Sequence, residues 1–194
     1  MLMSSRTSLA EAARELEPLR QGKLDGLCGL YAIINAIRVV IYPQRKLRQP
    51  ELKRLFESGL TTLAQARRLR PSLADGITHR LWHRMCDDVV DEARMITGLE
   101  LYTKRLFATD DPVDARYAIW RIKRHVRAGW PVLLALMDSY NHHSLVVGFS
   151  RTKLTLFDSA RLHWVWVRSL SFDGRELGHP HYVPPSTMVA LLAF

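Results

Sequence analysis

The sequence predicts an α+β fold, a helical half packed on an antiparallel β-sheet, and two observations lead there. Up to Gly98 the apolar residues recur at helical spacing, whereas beyond Gly129 the runs PVLLALM, HSLVVGFS, KLTLFDS and HWVWVRS are short, rich in branched and aromatic residues, and separated by turn-forming ones. Helices first and consecutive strands second favour a sheet covered by helices over alternating βαβ units. With 194 residues, 47% hydrophobic and 24% charged, the chain suits one globular domain, residues 1–194, helical over about 1–98 and mainly β over about 99–194.

The elements follow in order. A short amphipathic helix starts after Ser8. The next begins near Cys28 and carries Leu30, Ile33, Ile34, Ile37 and Ile41 on one stripe until Pro43 ends it; being apolar almost all round, it should be buried. Pro50 opens a basic amphipathic helix, ELKRLFESGL, continued by LAQARRLR up to Pro71, and ITHRLWHRMCDDVVDEARMI forms a longer helix ending at Gly98. Leu99 to Phe107 reads as a strand, after which Asp110, Asp111 and Pro112 supply a cap and first-turn proline for the helix VDARYAIWRIKRHVRAG. TMVALLAF reads as a last strand, and Gly174 to Pro185 as a surface loop near the sheet edge.

No apolar run approaches the ~20 residues of a membrane span, and the N-terminal stretch has no continuous apolar core of a secretion signal, so the expected compartment is the cytoplasm. Only Cys28 and Cys86 are present, too few for a disulfide framework, and both are expected as thiols. Lys and Arg total 28 against 19 Asp and Glu, a formal +9, which suits an acidic partner, anionic lipid or nucleic acid. The RKLR, KR and RRLR clusters between Arg45 and Arg84 read as a solvated basic helical face in preference to a nucleic-acid surface.

Chemistry concentrates around QGKLDGLCGLYAIINA. A cysteine at a helix N-terminus sits where free amides and the macrodipole favour negative charge, and Gly26 and Gly29 let substrate and backbone approach. A small buried hydrophobe is the competing role of a lone cysteine. The second half offers a base in NHHSLVVGFSRTKLTLFDSA, where a histidine starts one apolar strand and an aspartate ends the next, so that a hairpin would bring imidazole to carboxylate.

GLCGLYAIINA followed by HHSLVVGF and LFDS resembles the papain-like cysteine peptidases, in particular the compact bacterial branch that includes bacteriocin-processing peptidases. The resemblance covers Gln21 to Ala36 and Asn141 to Ser159, in the family's order of cysteine, histidine, then asparagine or aspartate. It implies a papain-like fold with Cys28 as nucleophile, His142 as base, Asp158 as its orienting partner and Gln21 helping to form the oxyanion hole. His142 precedes Gly148 by six residues and Asp158 by sixteen, both as in the family. Gln21 precedes Cys28 by seven, one more than is usual there, leaving Asp25 or Lys23 as alternatives near the site. Strand parity argues differently. A two-residue turn at Arg151 and Thr152 would put Asp158 on the face of His143, while an odd loop or a bulge would favour His142. Only one of the two side chains is expected to serve, because neighbours on a strand point to opposite faces.

Other groupings carry less. His79 and His83 with Cys86 or Asp87 have a spacing able to share a metal, but exposed helix polarity explains them and no metal or other cofactor is expected. HWVWV could stack bases, yet a packed strand accounts for it. His179 and His181 could line a cleft, and Asn35 could bond the loop before Cys28. The expected activity is cleavage of a peptide or isopeptide bond in a peptide or protein substrate, of acidic character if the surface charge selects it. Acyl transfer or glutamine deamidation on the same fold is the alternative, and a non-catalytic basic module binding nucleic acid or protein is the alternative from another class.

Overall fold

The computed structural model describes residues 8–22, 25–174 and 178–194. Among them the helices are α1 (Leu9–Glu15), α2 (Cys28–Ile41), α3 (Gln49–Gln65), α4 (Leu69–Asp75), α5 (His79–Thr97) and α6 (Ala115–Arg127). The strands are β1 (Leu101–Arg105), β2 (Val132–Asp138), β3 (His142–Phe149), β4 (Lys153–Leu156), β5 (Trp164–Trp166), β6 (Leu170–Ser171), β7 (His181–Tyr182) and β8 (Val189–Ala193). The fold is mixed α and β. Its sheet runs β1-β8-β2-β3-β4-β5 with every neighbour antiparallel, while β7 pairs the far end of β2 and β6 joins β7 in parallel.

Helix α2 explains its own composition. It packs on β2, β3 and β8 and against α1, α3 and α5, so its apolar residues find a partner in almost every direction. Strands β2 and β3 are buried at every position from Val132 to Leu136 and from His142 to Val147. Both of their faces are therefore covered, which suits continuous apolar runs better than an alternating pattern. Since α6, from the second half of the chain, also packs on β2 and β3, helical cover is not confined to the first half as the order of elements suggests.

Several boundaries differ from the sequence expectation for local reasons. Pro71 does not end a helix but sits in the first turn of α4, where no amide is needed for an intrahelical bond. Helix α6 starts at Ala115, because Asp114 accepts from the Tyr117 amide at 2.9 Å while Asp110 is taken up by the Ser186 amide at 2.9 Å. The C-terminal strand β8, expected as a last strand, lies between β1 and β2. Within the segment read as a surface loop, His181 and Tyr182 form β7 against Met137 and Asp138. No helix among the described residues is long and apolar enough to cross a membrane.

Candidate active site

Cys28 is the first residue of α2, and no side chain caps that helix at Leu27. The thiol thus sits in the first turn, at the positive end of the dipole. The preceding loop is held on several sides. Asn35 accepts from the Leu19 amide at 2.8 Å and donates to the Leu19 carbonyl at 3.1 Å, Asp25 accepts from Gly22 and Leu27 amides at 2.9 and 3.2 Å, and the Gly26 amide reaches the Leu73 carbonyl at 2.8 Å. Asp25 thereby folds the loop with both carboxylate oxygens. Lys23 lies outside the described residues.

Opposite Cys28, β3 opens with the two histidines. The tight turn before it contains Asn141 at a φ of 47°, a left-handed conformation that asparagine tolerates better than most residues. Strands β3 and β4 pair Phe149 with Leu154 and Gly148 with Thr155, but then Val146 with Leu156, leaving Val147 as an extra residue. This bulge reverses the parity that an unbroken hairpin would impose. It carries Asp158 to the face of His142, whose Nε2 lies 2.8 Å from Asp158 Oδ2. Oδ1 of the same carboxylate accepts from the Ala160 and Leu162 amides at 2.7 and 3.2 Å, so Asp158 is anchored from both oxygens.

The direct contacts on the sulfur come from His143, the neighbour that the family spacing does not select. His143 Nδ1 lies 3.7 Å from Cys28 Sγ, and the His143 amide points to the same sulfur at 3.5 Å. Because the sulfur sits against the strand backbone, side chains leaving toward either face come within its range. Burial works to raise the Cys28 thiol, but hydrogen bonds from His142 and His143, the charge of His143 and its amide outweigh burial and bring it down to about 5. Burial works to lower His142, and hydrogen bonds to Asp158 and Cys28 with their negative charge raise it to about 9. Burial would likewise raise the Asp158 carboxyl, yet the bond to His142, its charge and the Ala160 amide hold it below the usual value. The two shifts run in opposite directions and favour a thiolate beside a protonated imidazole over the neutral pair near neutral pH.

A cavity of about 770 Å³ opens over the sulfur, with Gln21, Gly26, Cys28, Tyr140, His142 and Ser159 among its lining. Gln21 joins the two motif blocks through its amide on the Ser159 carbonyl at 3.3 Å, and its side-chain amide donates to the Asp25 carbonyl. Of the histidines near the C-terminus, His181 braces the cleft from behind, stacking on Tyr140 at 4.8 Å between ring centroids and bonding Ser139 Oγ. Of the residues with metal-sharing spacing, His79 and His83 line one cavity, while Cys86 is buried in the core and Asp87 accepts from Thr103 Oγ1 at 2.6 Å; among the described residues no three such side chains are grouped to hold a metal. Trp164 and Trp166 meet edge to face at 5.1 Å with Lys153 over both rings.

Trp82 is the contributor that sequence reasoning missed. Fully buried on α5, it lies 4.7 Å from the His143 ring, centroid to centroid, and its Nε1 donates to the Gly29 carbonyl at 3.4 Å. The helical period identifies Trp82 as a core residue, but nothing along the chain connects it to Gly29, 53 positions earlier. The pairing makes Gly29 indispensable. A Cβ there would stand 2.6 Å from Trp82 Cδ1 and 3.5 Å from His143 Nδ1. Gly29→Ala is therefore expected to cost ~1–3 kcal/mol of overpacking and to slow alkylation of Cys28. Urea unfolding and thiol labelling of the variant measure the two effects.

No family model and no curated protein sequence matches this chain.

Proposed function

We propose that the chain is a cysteine peptidase of the papain-like kind, hydrolysing a peptide or isopeptide bond through Cys28, His142 and Asp158. The observation that supports this reading is the placement of the sulfur, at the N-terminus of α2 and against the two histidines that open β3, one of them bonded to the buried Asp158 carboxylate at 2.8 Å.

In this mechanism the Cys28 thiolate attacks the substrate carbonyl carbon and forms a C–S bond as the carbonyl π pair moves to oxygen. The Cys28 amide is the first candidate donor to that oxyanion and the Gln21 side chain, on the same cleft wall, the second. As the C–N bond breaks, imidazolium His142 gives its proton to the leaving amine and a thioester remains. Neutral His142 then takes a proton from water as the water oxygen attacks the thioester carbon. Release of the carboxylic acid restores thiolate and imidazolium, with Asp158 fixing the ring and balancing its charge throughout.

Incubation of a peptide library with the native protein and with Cys28→Ala tests the proposal by mass spectrometry. New N-termini that depend on Cys28, together with a peptide thioester on Cys28 in samples quenched with acid, are the expected result. Glutamine converted to glutamate without chain cleavage would move the reading to a deamidase, and transfer of the acyl group to an added amine in place of water would move it to a transferase. No change of any of these kinds would leave the peptidase reading without support.

A further inference from the structure

Part of the positive charge of this molecule faces carboxylates: Arg45 with Glu51 at 3.0 Å, Lys53 with Glu57 at 3.6 Å, Arg54 with Glu92 at 2.6 Å and Arg84 with Asp88 at 3.7 Å. Among the described residues Arg67, Arg68, Arg70 and Arg80 lie within ion-pair distance of no carboxylate, and helix α6 carries the largest such set on one element. From Ala115 to Trp130 the sequence has Arg116, Arg121, Lys123, Arg124 and Arg127 and no acidic residue. Among the described residues none of these five lies within ion-pair distance of a carboxylate.

Four of the five, Arg121, Lys123, Arg124 and Arg127, are instead laid on aromatic rings. The Arg121 guanidinium sits over Phe107 at 4.8 Å and Tyr117 at 5.7 Å, and Arg124 sits over Trp120 at 5.3 Å. Tyr117 and Trp120, about half exposed on the solvent side of α6, stack on one another at 5.8 Å. On the other flank Lys123 and Arg127 lie over Phe149 at 5.4 and 5.2 Å. Stacking fixes a guanidinium plane and leaves its edge donors pointing outward, so less side-chain entropy is lost when an oxyanion is gripped. The like charges remain uncompensated, and Lys123 is pulled down by burial and by Arg127.

We infer that the exposed face of α6 is a binding surface for the phosphate backbone of a nucleic acid. The guanidinium fork matches a phosphate, and a row of forks without carboxylates matches a polyanion. Two other occupants fit less well. A membrane surface calls for an apolar face to insert, but Ala118, Ile119, Ile122 and Val126 of α6 are already buried in the core. A protein interface is anchored by aromatic faces filling pockets, but Arg121 and Arg124 lie on the faces of Tyr117 and Trp120. Since those rings carry arginines, bases are not read by stacking there, and binding is indifferent to sequence. None of these residues lines the Cys28 cleft, so the surface stands or falls independently of the peptidase proposal.

Fluorescence anisotropy with a fluorescein-labelled 20-base-pair DNA duplex tests it. The expected dissociation constant is ~1–100 μM near physiological salt, with log K falling linearly against log salt. Arg121→Gln with Arg124→Gln should weaken binding at least ~10-fold in low salt and flatten the slope by about 2, one unit for each lost phosphate contact. Arg54→Gln with Arg84→Gln removes the same charge from paired positions and should change binding less than ~3-fold. Equal effects of the two double variants would show that net charge alone is at work and would overturn the assignment to α6. So would tighter binding of phosphatidylserine vesicles or of a polyglutamate peptide than of the duplex, or absence of duplex binding at low salt.

Discussion

At pH 7 the native protein is expected to take up one equivalent of iodoacetamide, all of it on Cys28. Cys86 is fully buried, and burial pushes its thiol well above the ordinary value, so it should react only after unfolding. The shape of the pH dependence distinguishes Cys28 more sharply than its rate at neutrality. With a thiol at about 5, the thiolate forms well below the range of an ordinary cysteine, and labelling should be nearly flat from pH 6 to 8. At pH 5.5 a thiol of that acidity is about three-quarters ionised against roughly 0.1% for one near 8.5, while its weaker nucleophilicity takes back about 40-fold, leaving an advantage of ~20-fold.

Two variants divide the effect. His142→Ala removes a hydrogen bond to the sulfur, and His143→Ala removes a second hydrogen bond with its charge, so each should move the midpoint upward by about a unit or more. If only one of the two moves it, that histidine is the thiolate's partner; should it be His142, His143 is a packing residue against Trp82. A wild-type midpoint near 8.5 would remove the basis of the ion pair altogether.

The second large effect is expected for Asp158→Asn. The substitution keeps an oxygen for the Ala160 and Leu162 amides but deletes the charge beside His142. His142 should then fall from about 9 toward 6.5, and the Cys28 thiol should rise as its cationic neighbour weakens. Imidazole NMR resonances followed across pH report the first change, and alkylation reports the second. Stability should follow with a definite sign. The lowered carboxyl of Asp158 contributes above its unfolded value of about 3.9, and that contribution is lost as pH falls through the folded one. The raised imidazole contributes fully below its unfolded value of 6.5, and that contribution is lost as pH rises through about 9.

The gap between wild type and Asp158→Asn in urea midpoints should therefore be widest from about pH 4 to 6.5 and should close toward pH 9 and above. The shift of His142 corresponds to on the order of 3 kcal/mol, shared between Asp158 and Cys28. Absence of a gap would mean that the turn at Ala160 and Leu162, which asparagine keeps, and not the charge, is what Asp158 supports.

Much of this was legible along the chain because it is local. The stripe of Leu30, Ile33, Ile34, Ile37 and Ile41 and the proline at position 43 bound α2, and the start of that helix at Cys28 follows from the glycine-rich loop before it. Runs of branched and aromatic residues located β2 to β5 and β8, since pattern and turn residues act over a few positions. Two strands joined by a short turn likewise made the approach of one of the two histidines to Asp158 foreseeable, without saying which.

What lay beyond the sequence was decided by contacts between distant segments. A single extra residue, Val147, determines which histidine faces Asp158, and strand alternation cannot reveal a bulge because each residue on either side of it still has strand character. The insertion of β8 between β1 and β2, the seating of Trp82 on Gly29 and His143, and the reach of His143 to the sulfur depend on how finished elements dock. Periodicity states which face of an element is buried, and docking alone states against what. By itself, then, the sequence determined the longer helices and strands and singled out candidate residues for chemistry, because propensity and spacing are short-range, while the short α4 and β7 escaped it. Tertiary structure alone brought Cys28, His142, His143 and Asp158 into one buried charge system, because their ionisation depends on desolvation and on partners more than a hundred residues away.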